Sequence, residues 1–161
     1  MRSPIEYNST QLDRVLVARI DPGEDLQKSI ETLAEKKHIS AGVILSVVGS
    51  LSKAKLRNIK RFPSKFPVSD TDRVYDSIEG PIEILNVSGN ICRRKDNVTH
   101  VHLHMTISKT VDEEVVIIGG HVSEGCETYV MVEVFIGILE EGSFTREMHP
   151  ERKSWEIRLA N

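Results

Sequence analysis

Strict alternation of apolar and polar side chains is the feature of this sequence that most limits its fold. Between residues 98 and 108 the apolar set is Val101, Leu103, Met105 and Ile107, and the polar set is His100, His102, His104, Thr106 and Ser108. A period of two places the two sets on opposite faces of a β-strand. Most other apolar segments are also short and bounded by turn residues. The predicted strands are Val15–Ile20, Ala41–Val48, Leu51–Phe62, Ile82–Ile91, Val98–Ser108, Val115–Val122, Thr128–Leu139 and Ser154–Leu159.

One main helix is predicted after Asp21. This residue is a good helix cap, Pro22 suits the first helical position, and Glu24 lies three residues after the cap. Apolar residues then recur at helical spacing, at Leu26, Ile30, Leu33 and Ala34, and the pattern fades near Ser40. The polar segment from Phe66 to Asp76 predicts an exposed loop. The fold class is therefore α+β, with one helix packed on a curved, largely antiparallel sheet.

Length and composition describe an ordinary folded chain. The 161 residues fit a single domain, 1–161, and 39% hydrophobic with 28% charged residues excludes a disordered chain. No apolar run approaches the roughly 20 residues that cross a bilayer, and the first 20 residues lack a signal-peptide pattern, so a cytoplasmic protein is expected. Cys92 and Cys126 do not form a disulfide framework. A net charge of -3 disfavours a globally basic nucleic-acid binder, although a local basic patch is allowed.

The strand Thr128–Leu139 has two apolar faces. One face carries Val130, Val132, Val134, Ile136 and Ile138, which we expect in the core. The other carries Tyr129, Met131, Glu133, Phe135 and Leu139, which is too apolar for free solvent. This second face predicts contact with another element or another subunit. Glu133 has three candidate roles: a base, a group that orients a metal-ligating histidine, or an ion pair at a subunit contact.

A histidine cluster is the strongest candidate for chemistry. His100, His102 and His104 project from one side of a strand, with alternate residues about 6–7 Å apart. A hairpin through residues 109–114 would bring His121, which follows Gly119-Gly120, beside them. Histidines from two neighbouring strands could form an open site for zinc or a similar divalent cation. The alternatives are a solvated polar face for the histidines, and a bulge as the only purpose of the two glycines.

Two further groups could bear on function. Cys126, five residues after His121, is either a soft metal ligand or a small buried apolar residue, and the second is favoured. The stretch 52–66 contains six basic residues and no acidic one. Its side chains Lys53, Lys55, Arg57 and Arg61 share a strand face and are candidate nucleic-acid contacts. Alternatively, these charges only protect an edge strand from aggregation.

The order of several segments resembles the plant and prokaryote conserved (PPC) domain family, in its stand-alone prokaryotic form. The matching segments are 21–26 (DPGEDL), 41–51 (AGVILSVVGSL), 83–89 (EILNVSG), 102–108 (HLHMTIS), 119–122 (GGHV) and 132–134 (VEV). The match runs from about Val15 to Leu139. The resemblance implies a curved antiparallel sheet, a homotrimer, and a metal site, usually zinc, at His102, His104 and His121. His100 would be an additional histidine beside that site.

One departure from the family limits the function. Plant members bind AT-rich DNA through an Arg-Gly-Arg-Pro core, and this chain contains no such tetrapeptide. Three hypotheses follow: a trimeric metal-binding protein with a regulatory or DNA-associated role, a metal-dependent enzyme of unknown substrate, or an interaction module that a metal stabilises. No nucleophile triad, phosphate-binding loop or dinucleotide motif is present to identify a reaction.

Overall fold

Eight strands and one α-helix form the fold in the computed structural model, which describes residues 5–159. In chain order they are β1 (Leu12–Ile20), α1 (Leu26–Lys36), β2 (Ala41–Ile59), β3 (Arg73–Arg93), β4 (Thr99–Val111), β5 (Glu114–Val122), β6 (Glu127–Leu139), β7 (Phe144–Met148) and β8 (Trp155–Leu159). A short 3₁₀ turn, Asp70–Asp72, precedes β3. In this part of the chain no helix is long and apolar enough to cross a membrane.

Six strands form one antiparallel sheet that curves back on itself. Their spatial order is β1-β6-β2-β3-β4-β5, and β2 makes a second contact with β5 through the pairs Leu56–Val122 and Arg57–His121. The strands β7 and β8 form a separate hairpin. This arrangement confirms the predicted α+β class with a curved antiparallel sheet. Because β2 touches β5, residues far apart in the sequence meet where these two strands cross.

The core lies between the concave face of the sheet and α1, which packs on β4 and β6. On the helix, Leu26, Ile30 and Ala34 are almost completely buried, and on β4 so are Leu103 and Ile107. The alternation in β4 is therefore confirmed: its apolar set faces the core, and its histidines face away. Each such leucine or isoleucine contributes about 1.5–3 kcal/mol through burial.

The helix starts later than the sequence predicts. Its cap is Asp25 rather than Asp21, and the Asp25 carboxylate accepts a hydrogen bond from the Lys28 backbone N–H at 2.9 Å. Residues 21–24 instead form a turn in which Gly23 has a φ of +83°, a left-handed conformation that a helix cannot contain. Thr128 on β6 holds this turn, since its hydroxyl accepts the Glu24 N–H at 3.0 Å. A tertiary contact thus overrides the local helix-start pattern.

Several strand boundaries also differ from prediction. The two segments predicted at 41–48 and 51–62 are one strand, β2, with irregular pairing around residues 49–53. The loop predicted for 66–76 ends earlier, because residues 73–76 belong to β3 and pair with residues 56–59 of β2. The sequence analysis missed β7 entirely. Short strands of this kind are specified by their partners more than by their own pattern.

The valine face of β6 is only partly in the core. Val132, Val134, Ile136 and Ile138 are buried, but Val130, which was expected beside them, is 61% exposed. The pairing of β2 with β6 explains the difference. Gly49 pairs with Val132, and the next pair is Leu51 with Thr128, so two residues of β2 lie opposite four residues of β6. The additional residues in β6 change which side chains face inwards, so Thr128 takes the buried position.

Candidate metal centre

Strands β4 and β5 bring three of the histidines together. His104 and His121 are direct partners in the β4–β5 ladder, as the predicted hairpin requires. His102 lies two residues along β4 on the same face. One ring nitrogen from each of the three residues lies within 4.8 Å of the other two, and the ring centroids are 5.0–5.3 Å apart. The structure therefore assembles the three-histidine cluster: His102, His104 and His121.

The two glycines before His121 allow β2 to approach β5 closely, and they do not form a bulge. The β4–β5 pairing continues without a register shift through Gly119 and Gly120, so the predicted bulge is wrong. Asn58 of β2 packs here, and its side-chain amide donates to the Gly119 carbonyl at 3.0 Å. A β-carbon on Gly120 would lie 2.7 Å from the Asn58 amide nitrogen. The glycines thus let β2 reach β5 beside the cluster.

Their surroundings keep two of the clustered histidines, His102 and His121, uncharged at neutral pH. Burial, followed by the positive charge of the Arg146 guanidinium, lowers the pKa of His102 to about 4. Burial also lowers the pKa of His121 to about 3, with Arg57 as the next cause. Both pKa values lie well below 7, so the neutral rings keep a lone pair for a metal.

The donor set fits a borderline divalent cation such as zinc. Three imidazoles are ordinary ligands of catalytic zinc, which leaves a fourth position for water or substrate. With bonds of about 2.0–2.1 Å in a tetrahedral site, the ligating nitrogens would be about 3.3–3.4 Å apart. The nitrogens of the cluster, which lie within 4.8 Å of one another, must therefore approach by at most about 1.5 Å to bind such an ion.

Arg146 is a functional residue that the sequence analysis missed. It lies on β7, is only 4% exposed, and its Nη2 donates to Asn90 Oδ1 at 2.9 Å and to His102 Nδ1 at 3.1 Å. Its Nη1 donates to the Trp155 carbonyl at 2.5 Å. The hairpin of β7 and β8 thus closes one side of the cluster. No local signal in the sequence places a five-residue strand there.

A cavity of about 670 Å³ opens over the cluster. Its walls come from β2, the segment 66–73, the histidine faces of β4 and β5, and the β7–β8 hairpin. Five lining residues are basic: Arg57, Arg73, Arg146, Arg152 and Lys153. No aspartate or glutamate is among the described residues that line it. The cluster therefore faces a positively charged cavity large enough for a small molecule.

The remaining histidine of β4 lies beside the cluster but outside it. The His100 ring centroid is 6.5 Å from that of His102 and 6.4 Å from that of Trp155. Burial lowers the pKa of His100 to about 4, followed by the charge of Arg146. His100 does not belong to the group whose nitrogens lie within 4.8 Å of one another. It forms part of the cavity wall.

The structure does not bring Glu133 to the histidines. In the sheet it pairs with Val48 of β2, whereas His121 pairs with Arg57, nine residues further along the same strand. Nine residues correspond to about 30 Å of strand. Within one chain, Glu133 therefore lies too far along the sheet to orient a ligating histidine, which leaves the subunit contact among its candidate roles. Its carboxylate lies instead on the outer face of the sheet.

Cys126 is also not a ligand in this arrangement. Its thiol is buried, accepts the Lys55 backbone N–H at 3.3 Å, and lies 3.4 Å from the Lys55 carbonyl. Burial raises the pKa of the Cys126 thiol. A neutral, hydrogen-bonded thiol of this kind acts as a small core residue.

The four basic residues considered for nucleic acid have separate environments. Lys53 pairs with Glu79 at 3.0 Å, and Arg61 pairs with Asp72 at 2.8 Å. Arg57 turns to the cavity beside the histidines. Lys55 is exposed, and its side chain packs over Gly125. The structure thus divides the basic stretch between ion pairs, the cavity wall and the surface.

Comparisons with known proteins agree with this architecture. The model of the Plants and Prokaryotes Conserved (PCC) domain matches residues 7–140. Among solved structures, a metal-containing protein from Archaeoglobus fulgidus superposes with a TM-score of 0.74 at 23% identity, covering 94% of this chain and 98% of that one. A plant- and prokaryote-conserved protein from Pyrococcus horikoshii gives 0.74 at 22% identity, covering 94% and 97%. A "putative DNA-binding protein" from Bacteroides thetaiotaomicron gives 0.70 at 20% identity, covering 94% and 96%.

The chain is also similar to one region of a larger protein. It is 31% identical over 147 residues to the bifunctional protein GlmU of Synechococcus sp. strain JA-2-3B'a(2-13). That match covers 91% of this chain, which spans about a fifth (20%) of the relative's length. The fold, the ordered segments and the match over residues 7–140 lead to one conclusion: the chain belongs to the Plants and Prokaryotes Conserved domain family.

Proposed function

We propose that this protein binds a divalent transition metal, with zinc as the first choice, at His102, His104 and His121, and that the bound metal acts on a small molecule in the adjoining cavity. The observation that carries the proposal is the convergence of three imidazole nitrogens within 4.8 Å on the wall of that cavity. The name of the Archaeoglobus relative, a metal-containing protein, agrees with it.

The number of ligands supports a functional rather than a purely structural metal. Structural zinc sites are usually closed by four protein ligands, whereas catalytic sites have three and an open position. Within the described residues, the cluster has three members, and Cys126 is engaged elsewhere. Zinc with an open position lowers the pKa of its bound water towards about 7 and polarises oxygen ligands. The chain's own part is to hold neutral imidazoles beside a cavity.

Metal analysis of purified variants tests this proposal. Wild-type protein should carry about one metal ion per chain, and the double variant His102→Ala/His104→Ala should carry none after dialysis. His100→Ala is the matched control, since it removes an imidazole from the same strand face but not from the cluster. The control should retain its metal. Stoichiometric metal in the double variant would refute the proposed ligand set.

A homotrimer is the proposed assembly. The outer face of β1, β6 and β2 exposes Val17 (60%), Leu45 (50%) and Val48 (53%), beside half-buried Met131 and Phe135. None of the described elements of the chain packs over this apolar face, which favours a subunit contact. Sedimentation equilibrium should give about three times the 18.1 kDa chain mass. A monomer at micromolar concentration would refute this assembly.

Glu133 then belongs to the subunit contact. It lies directly opposite Arg19 of β1 and Val48 of β2, within the outer face. Glu133→Gln should weaken the trimer and leave metal affinity nearly unchanged. The same protein sample should be used for oligomer mass and zinc affinity. A weaker metal site in an intact trimer would restore the role of Glu133 near the histidines.

DNA association is a second candidate, supported by the name of the Bacteroides relative and by exposed Lys55. The ion pairs of Lys53 and Arg61 reduce the charge available to phosphates. Titration of duplex DNA at several salt concentrations tests it, since binding through phosphates falls steeply as salt rises. Absence of binding at low salt would remove this candidate.

The cytoplasm is the proposed compartment. Cys92 and Cys126 are both free and buried, which suits a reducing environment. A cell-fractionation experiment with the native chain would test the assignment, and recovery outside the cytoplasmic fraction would overturn it.

A further inference from the structure

Arg146 is a buried cation that has no carboxylate partner among residues 5–159. It is 4% exposed, and it donates hydrogen bonds to the Trp155 carbonyl, to Asn90 and to His102. It also lies against the Cys92 thiol, whose pKa burial raises, so all four partners are neutral. Its Nε has no hydrogen-bond partner within the described part of the chain, where Arg146 also forms no ion pair. A buried charge is costly unless an opposite charge accompanies it. The site thus has a positive charge that the described residues of the chain do not neutralise.

A second unpaired arginine on the cavity wall adds to this positive charge. Arg73 and Arg152 are compensated outside the cavity, by Asp70 and Glu156. Arg57, like Arg146, has no ion pair among residues 5–159, and it lies close enough to lower the pKa of His102 and His121. A metal dication in the cluster would raise the positive potential further. Such a concentration of unpaired positive charge in a cavity favours an anionic ligand.

Metal binding at His102 also changes what Arg146 can contact. A guanidinium only donates, so His102 Nδ1 must be the acceptor and the ring proton must be on Nε2. A metal on Nε2 requires the proton on Nδ1, and a metal on Nδ1 occupies its lone pair. In either case the hydrogen bond from Nη2 is lost. Coordination at His102 would therefore free a donor of Arg146, which lines the cavity.

The geometry points to a binding site for a small organic oxyanion, a carboxylate or phosphate group on an apolar body, held jointly by the metal, Arg146 and Arg57. This inference rests on the proposed metal site and adds the class of molecule that the site takes. Guanidinium groups match the paired oxygens of carboxylates and phosphates. The apolar body would lie against Phe66, Val68 and Trp155, which line the same cavity.

The ligand must enter the cavity to meet Arg146. Because only 4% of the surface of Arg146 is accessible and the residue lines the cavity, a small molecule suits the site better than a phosphate on the surface of a duplex. The site also depends on residues beyond the family match. That match ends at residue 140, whereas Arg146 and Trp155 lie on the β7–β8 hairpin. The inference therefore concerns residues outside the range that the family model matches.

Calorimetric titration of zinc-loaded protein tests the inference with three probes of similar size. Benzoate and phenylphosphonate carry the two oxyanion groups, and benzamide is the neutral control. We expect either anion to bind at least about 10-fold more tightly than benzamide, and the preferred anion identifies the head group. Equal affinity for benzamide and both anions would overturn the inference. Competition by duplex DNA for the bound anion would instead assign the site to nucleic-acid phosphate and would also overturn it.

Variants then identify the residues that hold the anion. Arg146→Met should weaken anion binding about 10- to 100-fold, the range for a lost charged hydrogen bond, and should retain one metal per chain. Arg57→Met is the second variant if Arg146→Met fails to fold. Arg152→Met is the matched control, because Arg152 is engaged with Glu156, and its anion affinity should stay within about 3-fold of wild type. Unchanged affinity in the Arg146 and Arg57 variants would refute their role.

Metal content measured on the same samples separates the two proposals. Protein without metal after zinc loading would refute the metal site itself. Protein with one zinc per chain that prefers neither anion would leave the metal site standing and refute the oxyanion site.

Discussion

The substitution Gly89→Ala tests how closely β3 must approach the metal-binding strand. Gly89 pairs with Leu103, between His102 and His104 in β4. A β-carbon at this position would lie 2.1 Å from the His102 carbonyl oxygen and 2.8 Å from a Leu103 methyl group. An ordinary contact begins near 3.4 Å, so the methyl and the carbonyl must separate by about 1.3 Å. The added atom therefore displaces the backbone of a proposed ligand.

The expected loss of stability follows from that displacement. Insertion of a methyl into a tightly packed region costs about 1–3 kcal/mol, and a clash with backbone falls in the upper part of that range. A loss of about 2–3 kcal/mol in a chain of this size lowers Tm by about 4–12 °C. Because His102 moves, zinc affinity should fall about 10- to 100-fold, the range for losing a group that orients a metal ligand.

Gly119→Ala is the matched control for this experiment. Gly119 lies on β5, on the other side of β4, and its β-carbon would lie 3.2 Å from the Met105 carbonyl oxygen. The neighbour there needs to move by only a few tenths of an ångström. Denaturant unfolding and competition with a chelator should be measured for both variants. If Gly89→Ala matches Gly119→Ala in stability and zinc affinity, the argument from close packing at His102 is wrong.

Three further predictions concern the acid response, the core and the metal. Hydrogen bonds from Ser69, and then from Arg61, lower the pKa of the Asp72 carboxyl from 3.8 to about 2. The ionised carboxyl therefore stabilises the fold fully above pH 3.8, and this contribution is lost as the pH falls through 2. Urea unfolding at pH 6, 3.5 and 2.5 should show a smaller loss of stability over this range for Asp72→Asn than for wild type. Leu26→Ala, at a position with 0% exposure, should cost about 2–5 kcal/mol in the same assay and leave metal stoichiometry unchanged. Zinc at 100 times its dissociation constant should stabilise wild type by about 2.7 kcal/mol in a thermal-shift series, and the double alanine variant at His102 and His104 should show no shift.

The sequence predicted those parts of the site that depend on local periodicity. Alternation along β4 placed His102 and His104 on one face, and the short connection to β5 placed His121 beside them. These features need only the two-residue period of a strand and a hairpin. The helix was predicted for similar reasons, since Leu26 and Ile30 recur at helical spacing.

The parts that could not be predicted depend on distant contacts. Arg146 reaches His102 only because the β7–β8 hairpin folds against β3, and a five-residue strand contains no signal for that position. The cap moved from Asp21 to Asp25 because Thr128 binds the preceding turn. Val130 left the core because the β2–β6 pairing is irregular. In each case the deciding partner is remote in the sequence.

The pairing of β1 with β6 has a consequence for the synthesis of this protein. Leu12 pairs with Leu139, so among the described strands β1 has its one pairing partner about 130 residues later in the chain. At about 5–20 residues per second, a ribosome takes roughly 6–25 s to complete that interval. During this time β1 has an unpaired edge and exposed Val15 and Val17. Completion of the sheet is thus a late event in biosynthesis, and the nascent chain is most prone to aggregation before β6 emerges.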